Sequence, residues 1–197
     1  MLVVIIKYEA GNVRSVVNAL SRLGAEVCVS DDEQVIRQAS HVILPGVGHA
    51  LRAMADLERR GLTDVIRSLN QPMLGICIGM QLMCRQSQEG PTTGLGIFDC
   101  AVRKMESSTQ GLKIPHVGWN TIYNTQSELF KGFASPEYVY YVHSYAAGLC
   151  AHTIATTAHG AEFSGALRNG NFFGTQFHPE KSGDVGERIL KNFLELT

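Results

Sequence analysis

Two short segments of the sequence carry residue types that suit nucleophilic catalysis. The first is Gly75-Ile76-Cys77-Ile78-Gly79, a GxCxG in which the glycines allow a sharp backbone turn around a cysteine. A short apolar run precedes it and a helix-like segment follows, so the pattern predicts a nucleophile at a strand-to-helix turn. A helix N-terminus favours the thiolate over the thiol, and the Ile78 N–H would point towards an oxyanion beside the sulfur.

The second segment is GTQFHPEKS at 174–182, in which His178 and Glu180 flank Pro179. Proline pushes the preceding residue towards extended geometry, so residues two apart are predicted to project to the same side. An imidazole that is oriented by a carboxylate can exchange a proton with a thiol. Alone, Cys77 fits a packed core residue, and the other two fit a loop histidine and a solvated charge. Their joint occurrence predicts a Cys-His-Glu site.

The composition limits the domain count, the partners and the cofactors that the chain can have. The chain has 197 residues, 45% hydrophobic and 18% charged, which predicts one globular domain over 1–197. A net charge of -1 offers no basic surface for nucleic acid or an anionic membrane. Five cysteines without zinc-type spacing, and the lack of a signal-peptide pattern, predict a reduced, cytoplasmic chain. The histidines show no ligand spacing and there is no Walker loop or GxGxxG, so we expect no metal or cofactor.

The elements that must position these residues alternate in the first half of the chain. Strand-like runs at 2–6, 25–29, 41–44 and 72–77 are separated by helical patterns, one of them capped by Asp31. A helix is predicted over 80–86, which puts Cys84 two turns beyond Cys77 in the core. From about residue 95 the segments are β-rich, with a hairpin turn at Asn169-Gly170, and a helix closes the chain. The pattern predicts an α/β fold with an antiparallel β extension.

Both motifs, in this order, resemble those of the class I, triad-type glutamine amidotransferases. The resemblance implies a flavodoxin-like fold with a mainly parallel central sheet flanked by helices. It extends over nearly the whole chain to the branch of that family that supplies ammonia for imidazole glycerol phosphate synthesis. The segments that carry it are AGNVRSV at 10–16, LPGVG at 44–48, GICIGMQ at 75–81, HVGWN at 116–120, VHSYA at 142–146 and FHPEKS at 177–182.

The resemblance also implies roles for individual residues. Cys77 is expected to be the nucleophile, His178 the acid and base, and Glu180 the carboxylate that orients the imidazole. The oxyanion is expected to meet N–H groups of Ile78, Val47 and Gly48. The residues expected to hold the substrate glutamine are Gly48, Gln81, His143, Ser144 and Tyr145. Gln81 lies one helical turn after Cys77, so its amide can face the same pocket.

A partner is implied as well. In the family branch that this chain resembles, the glutaminase forms a heterodimer with a (β/α)-barrel cyclase, which receives the ammonia. The resemblance places Asn12, Trp119, Asn120 and Lys181 at the docking face. Lys7 and Glu9 stand where such glutaminases commonly carry Asp and Gly, which leaves the details of the interface open.

Two other interpretations remain open at this point. The chain could serve another triad amidotransferase, such as those of anthranilate, GMP or pyridoxal phosphate synthesis. It could also be a non-catalytic regulatory domain on the same fold. HVGWN and VHSYA argue against the first, and the intact set of Cys77, His178 and Glu180 argues against the second.

Overall fold

The computed structural model describes residues 1–9, 13–107 and 112–197. Its strands are β1 Leu2–Ile6, β2 Glu26–Ser30, β3 His41–Leu44, β4 Met73–Ile76, β5 Cys84–Ser87, β6 Thr92–Thr93, β7 Phe98–Lys104, β8 His116–Ile122, β9 Glu137–His143, β10 Tyr145–Ala147, β11 Thr153–His159, β12 Ala161–Asn169 and β13 Phe172–Thr175. Its α-helices are α1 Val13–Arg22, α2 Glu33–Gln38, α3 Ala50–Arg59, α4 Leu62–Arg67, α5 Ile78–Met83 and α6 Gly183–Leu194.

Seven strands form the central sheet in the order β11-β12-β13-β4-β3-β1-β2. The pairs from β13 to β2 are all parallel, and β11 and β12 add an antiparallel edge. β1 is a run of Leu, Val and Ile whose last four residues are fully buried, as expected for a parallel strand covered on both faces. The predicted α/β fold with a mainly parallel sheet and an antiparallel extension is confirmed.

Most predicted elements of the first half lie within one or two residues of the observed ones. α1 buries Val16, Ala19 and Leu20 at helical spacing, and the chain leaves the helix through Gly24 at a φ of 79°. The cap of α2 was predicted one residue too early. It is Asp32, not Asp31, whose carboxylate accepts the N–H groups of Gln34 and Val35 at 2.8 and 3.1 Å.

The helix predicted over 80–86 is wrong in its second half. α5 ends at Met83, and Cys84 begins β5, which pairs in parallel with β7 and antiparallel with β6. The carbonyls of Leu82 and Met83 accept N–H groups from Leu95 and Ile97 instead of continuing the helix. Pairing with distant strands therefore outweighs the local helical pattern. Cys84 is fully buried, as predicted, but on a strand.

Two smaller sheets complete the described fold. β10, β7, β5 and β6 form one of them, and β8 pairs with β9 as an antiparallel ribbon. In the ribbon, Val117 lies opposite Val142 and Trp119 opposite Tyr140, whereas His116 lies opposite His143 on the other face. Alternation along a strand therefore gives the ribbon one outward face and one buried face.

The carboxyl ends of three neighbouring strands define where a site can form. β3, β4 and β13 lie side by side in parallel, and each ends at the same edge of the sheet. β3 runs into Pro45–Gly48, β4 into Cys77, and β13 into the segment that contains His178. Ligands of open α/β sheets bind outside this edge, so the topology brings the predicted site together.

Candidate active site

The backbone at Cys77 adopts an uncommon conformation. Its φ of 53° and ψ of -107° lie outside the usual regions for a residue with a side chain, as expected at a nucleophile turn. The Cys77 N–H donates to the Thr175 carbonyl at 2.7 Å, which ties the turn to β13. A Cβ on Gly79 would lie 1.9 Å from the Leu44 carbonyl oxygen, so only glycine lets the turn pack on the end of β3.

His178 and Glu180 form a buried pair beside the turn. Nδ1 of His178 lies 2.8 Å from Oε1 of Glu180, and both side chains are almost fully enclosed. The sequence predicted extended backbone here, but the chain instead turns into a short 3-10 helix at Pro179–Lys181. The Ser182 hydroxyl donates to the His178 carbonyl at 2.6 Å and holds this turn. The pair thus forms through a local turn.

The surroundings of His178 keep its ring charged. Burial alone lowers its pKa, but contacts with the Cys77 sulfur and the Glu180 carboxylate outweigh burial and raise the pKa to about 10. Within the described part of the chain, Nε2 of His178 has no geometrically acceptable hydrogen bond, although the ring lies close enough to Cys77 to feel its charge. A protonated nitrogen is therefore free to meet a third group beside the sulfur.

A cavity of about 310 Å³ opens in front of Cys77. This volume is at the lower end of the range for small-molecule sites, about 300–1,000 Å³. Its walls contain Val47, Gly48, Cys77, Ile78, Gln81, Glu89, Pro115, Val142, His143, Ser144 and Tyr145. All the predicted oxyanion and substrate residues therefore line one cavity. A larger groove of about 490 Å³ beside Pro72 lies at the opposite end of β4 and contains none of the predicted catalytic residues.

Gln81 is held in one orientation in the cavity wall. Its Nε2 donates to the Tyr145 carbonyl at 2.9 Å and to Oε1 of Gln176 at 3.0 Å. Its own Oε1 is buried and has no partner among the described residues. Gln81 therefore offers an acceptor to a ligand, while its donor end is already used.

Two residues of the site escaped the sequence analysis. Glu89 lines the cavity and accepts the Ala50 N–H at 2.8 Å, but it lies in a loop without any motif. Gln176 is fully buried, and its Nε2 lies 3.7 Å from the Cys77 sulfur. Its position two residues before His178 was the available signal, since alternate residues of an extended segment share a side.

The predicted docking residues occupy different environments. Trp119 is 56% exposed on the outward face of the ribbon, and its ring meets that of Tyr140 edge-on. Asn120 lies on the buried face, where its Nδ2 contacts His116 and the Ala158 carbonyl. Lys181 is half-buried at the end of the turn after His178. Asn12 lies outside the described residues.

No helix within the described ranges is long and apolar enough to cross a membrane.

The chain belongs to the class-I glutamine amidotransferase family, whose model matches residues 4–196. Two of its relatives are named imidazole glycerol phosphate synthase subunit HisH. The one from Bacteroides fragilis is 53% identical over the full length of both chains. The one from Idiomarina loihiensis is 45% identical and covers 100% of this chain and 99% of its own length. The predicted family and branch are confirmed.

Solved structures agree with the fold. One described as a glutamine amidotransferase aligns with a TM-score of 0.75 at 18% identity, over 98% of this chain and 97% of the other. The glutaminase domain of Trypanosoma brucei CTPS aligns with a TM-score of 0.67 at 17% identity, over 100% of this chain and 95% of the other. At these identities the likeness supports the fold alone.

Proposed function

We propose that this chain hydrolyses glutamine to glutamate and ammonia and passes the ammonia to a (β/α)-barrel cyclase. The cyclase then makes imidazole glycerol phosphate and aminoimidazole carboxamide ribotide in histidine biosynthesis, in the cytoplasm. The observation that carries the proposal is that the buried His178–Glu180 pair lies against the Cys77 sulfur, and that Cys77 lines a cavity. The full-length relatives named HisH select this pathway among those served by the family.

In the first step, the Cys77 sulfur attacks the side-chain carbonyl carbon of glutamine. Because the pKa of His178 is raised to about 10, its ring enters the reaction protonated. It donates the Nε2 proton to the departing nitrogen, so ammonia leaves and a glutamyl thioester remains. Glu180 holds the opposite ring nitrogen at 2.8 Å and stabilises the charged ring.

In the second step, the neutral His178 removes a proton from water, whose oxygen attacks the thioester carbon. The carbon–sulfur bond breaks, glutamate leaves, and the thiolate and protonated imidazole are restored. An oxyanion forms in each step. Ile78, Val47 and Gly48 all line the cavity, and their N–H groups are assigned to this oxyanion.

Charge complementarity supports glutamine as the substrate. Glu89 places a carboxylate in the cavity wall, suited to the ammonium group of an amino acid. The unpaired Oε1 of Gln81 accepts a further N–H donor. His143, Ser144 and Tyr145 also line the cavity and are assigned to the remaining substrate contacts.

The outward face of the β8–β9 ribbon is assigned to the cyclase. It exposes four large apolar side chains, of Val117, Trp119, Tyr138 and Val142, which is unusual for a surface without a partner. Val142 also lines the cavity, and its carbonyl lies 3.9 Å from the Cys77 sulfur. The apolar face is therefore continuous with the site, so ammonia released there can leave beneath a docked partner. The 3-10 helix that ends at Lys181 contacts β9 of this ribbon. Lys181 and Asn12 are assigned to the face on family resemblance.

The partner is also assigned an activating role. Gly48 has a φ of 118°, which glycine adopts readily, and a Cβ at this position would meet nothing within 4 Å. With glycine at this position, the neighbouring peptide can rotate between orientations that do or do not aim an N–H at the oxyanion. A hundredfold activation needs about 2.7 kcal/mol, which one aimed donor can supply.

The test measures synthesis of imidazole glycerol phosphate by the complex with a cyclase partner. With Cys77→Ser we expect glutamine-dependent synthesis to be lost and ammonia-dependent synthesis to be retained, because only the glutaminase step needs the nucleophile. Wild-type glutamine turnover in Cys77→Ser would refute the covalent mechanism. Failure of the chain to restore growth of a histidine-requiring strain that lacks its own glutaminase subunit would favour another amidotransferase pathway.

A further inference from the structure

Gln176 connects the nucleophile to the wall of the cavity. Its Nε2 lies 3.7 Å from the Cys77 sulfur, and its Oε1 lies 3.0 Å from Nε2 of Gln81. We propose that Gln176 is a further catalytic residue, whose amide N–H donates to the Cys77 sulfur and stabilises the thiolate over the thiol. This inference rests on the proposed function, because it assigns a second polar partner to the same nucleophile.

The direction of this hydrogen bond follows from the neighbouring groups. The two ends of an amide are similar in shape, so an acceptor or a donor could face the sulfur. The Tyr145 carbonyl can only accept, so the end of Gln81 that lies 2.9 Å from it must be Nε2. The same nitrogen faces Gln176, which must therefore present its oxygen. Nε2 of Gln176 is left to face Cys77.

The Tyr145 carbonyl is itself held by a buried chain of hydrogen bonds. It accepts from Nδ1 of His143 at 2.9 Å, so the proton of this neutral ring lies on Nδ1. Nε2 of His143 then accepts from Nδ1 of His116 at 2.9 Å. Nε2 of His116 accepts from the Asn120 amide at 3.2 Å. His116, His143 and Asn120 are therefore positioning residues, because they orient the carbonyl that sets the direction of both glutamine amides.

The Gln176 N–H adds a second stabilising partner for a thiolate, beside the charged His178 ring. Another group beside the sulfur is the Val142 carbonyl at 3.9 Å, which can accept from the thiol but opposes a thiolate. Gln176 is fully buried, so water does not compete for its N–H. Hydrogen bonds to charged groups are stronger than neutral ones. Loss of the donor should therefore slow thiolate chemistry at neutral pH about tenfold, which corresponds to about 1.4 kcal/mol.

The experiment follows alkylation of Cys77 by iodoacetamide against pH, in the full chain, with modification located by peptide mass spectrometry. Gln176→Met removes the donor, and Gln176→Glu replaces it with a carboxylate. The matched controls are Gln71→Met and Gln71→Glu. The Gln71 amide is also a hydrogen-bond donor, to the Ile36 carbonyl at 2.9 Å, but it lies at the opposite end of β4. Circular dichroism confirms that each variant is folded.

We expect Gln176→Met to raise the midpoint of the alkylation profile by about one pH unit and Gln176→Glu to raise it further, because a like charge adds to the lost donor. The Gln71 controls should match wild type. The titratable groups around the sulfur are His178 with Glu180, Tyr8, and the cavity residues Glu89, His143 and Tyr145, and all of them are unchanged in these variants. A shift therefore reports on Gln176.

An unchanged midpoint in both Gln176 variants would overturn the inference, even if turnover fell. A second measurement needs no Gln176 variant. In wild type, the NMR chemical shift of the Gln176 side-chain amide should change with pH at the midpoint of the alkylation profile, and in Cys77→Ser it should not. A chemical shift that does not change with pH in wild type would also overturn the inference. Neither measurement requires glutamine hydrolysis, so failure of the proposed function would be seen separately, as absent turnover in the wild-type complex.

Discussion

Gly79→Ala tests the contact that holds the nucleophile turn against β3. A Cβ at this position would lie 1.9 Å from the Leu44 carbonyl oxygen, whereas side-chain carbons are essentially never closer than 3.0 Å to such atoms. The turn must therefore move away by about 1.1 Å. Leu44 leads directly into the loop with Gly48, and Gly79 follows Ile78. The movement thus separates the two sources of oxyanion donors.

The expected cost has two parts. Loss of one aimed oxyanion donor typically lowers turnover about 100-fold to 1,000-fold, and a 1 Å misplacement has an effect of similar size. Overpacking of a well-packed contact costs about 1–3 kcal/mol of unfolding free energy. We therefore expect Gly79→Ala to lose at least 100-fold in glutaminase turnover while the protein still folds.

The assay is steady-state glutamine hydrolysis in the complex with the cyclase, together with urea unfolding of the chain. Gly148→Ala is the matched control, because a Cβ there would meet nothing within 4 Å. Ammonia-dependent synthesis by the Gly79→Ala complex should be preserved, since docking does not involve this contact. Wild-type glutamine turnover in Gly79→Ala would show that the turn does not need its packing on β3, and the reasoning would fail.

Four further predictions follow from the charges and conformation of the site. Glu180→Gln should lower the pKa of His178, read by imidazole NMR, and should reduce turnover less than Cys77→Ser, because an amide still orients the ring. The pKa of His178 is raised from 6.5 to about 10, so the stability that its protonation contributes is complete below pH 6.5 and is lost as pH rises through 10. The unfolding free energies of wild type and Glu180→Gln in urea should therefore converge over that pH range. Burial and neighbouring charge lower the pKa of His116 to about 3, and burial lowers the pKa of His143 to about 4, so both rings should stay neutral above pH 5. Long-range ¹⁵N–¹H spectra should show the proton of each ring on Nδ1, and a proton on Nε2 would contradict this. If the peptide beside Gly48 rotates, glutamine hydrolysis should differ mainly in kcat between the isolated chain, the bare complex and the complex with the cyclase's nucleotide ligand. A change confined to KM would count against this rotation.

The sequence alone predicted the class of fold and the residues proposed as the catalytic triad. Apolar runs of β-branched residues, helical periodicity and glycine turns are local properties, so they predicted β1, α1 and the turn at Cys77 with little error. The HPE segment likewise indicated that an imidazole and a carboxylate would meet. The two side chains do meet, although the chain turns there instead of staying extended, because His178 and Glu180 are only two residues apart across a proline.

Only the tertiary structure decided which polar groups meet across the chain. Cys77 and Gln176 are brought together because β4 and β13 are neighbours in the sheet, and no local pattern encodes that adjacency. The register of the β8–β9 ribbon turns Asn120 inward and Trp119 outward, although the two are adjacent in one motif. The end of α5 at Met83 was likewise set by pairing with distant strands. Hydrogen-bond partners, burial and strand register depend on contacts between distant segments, which the order of residues along the chain does not display.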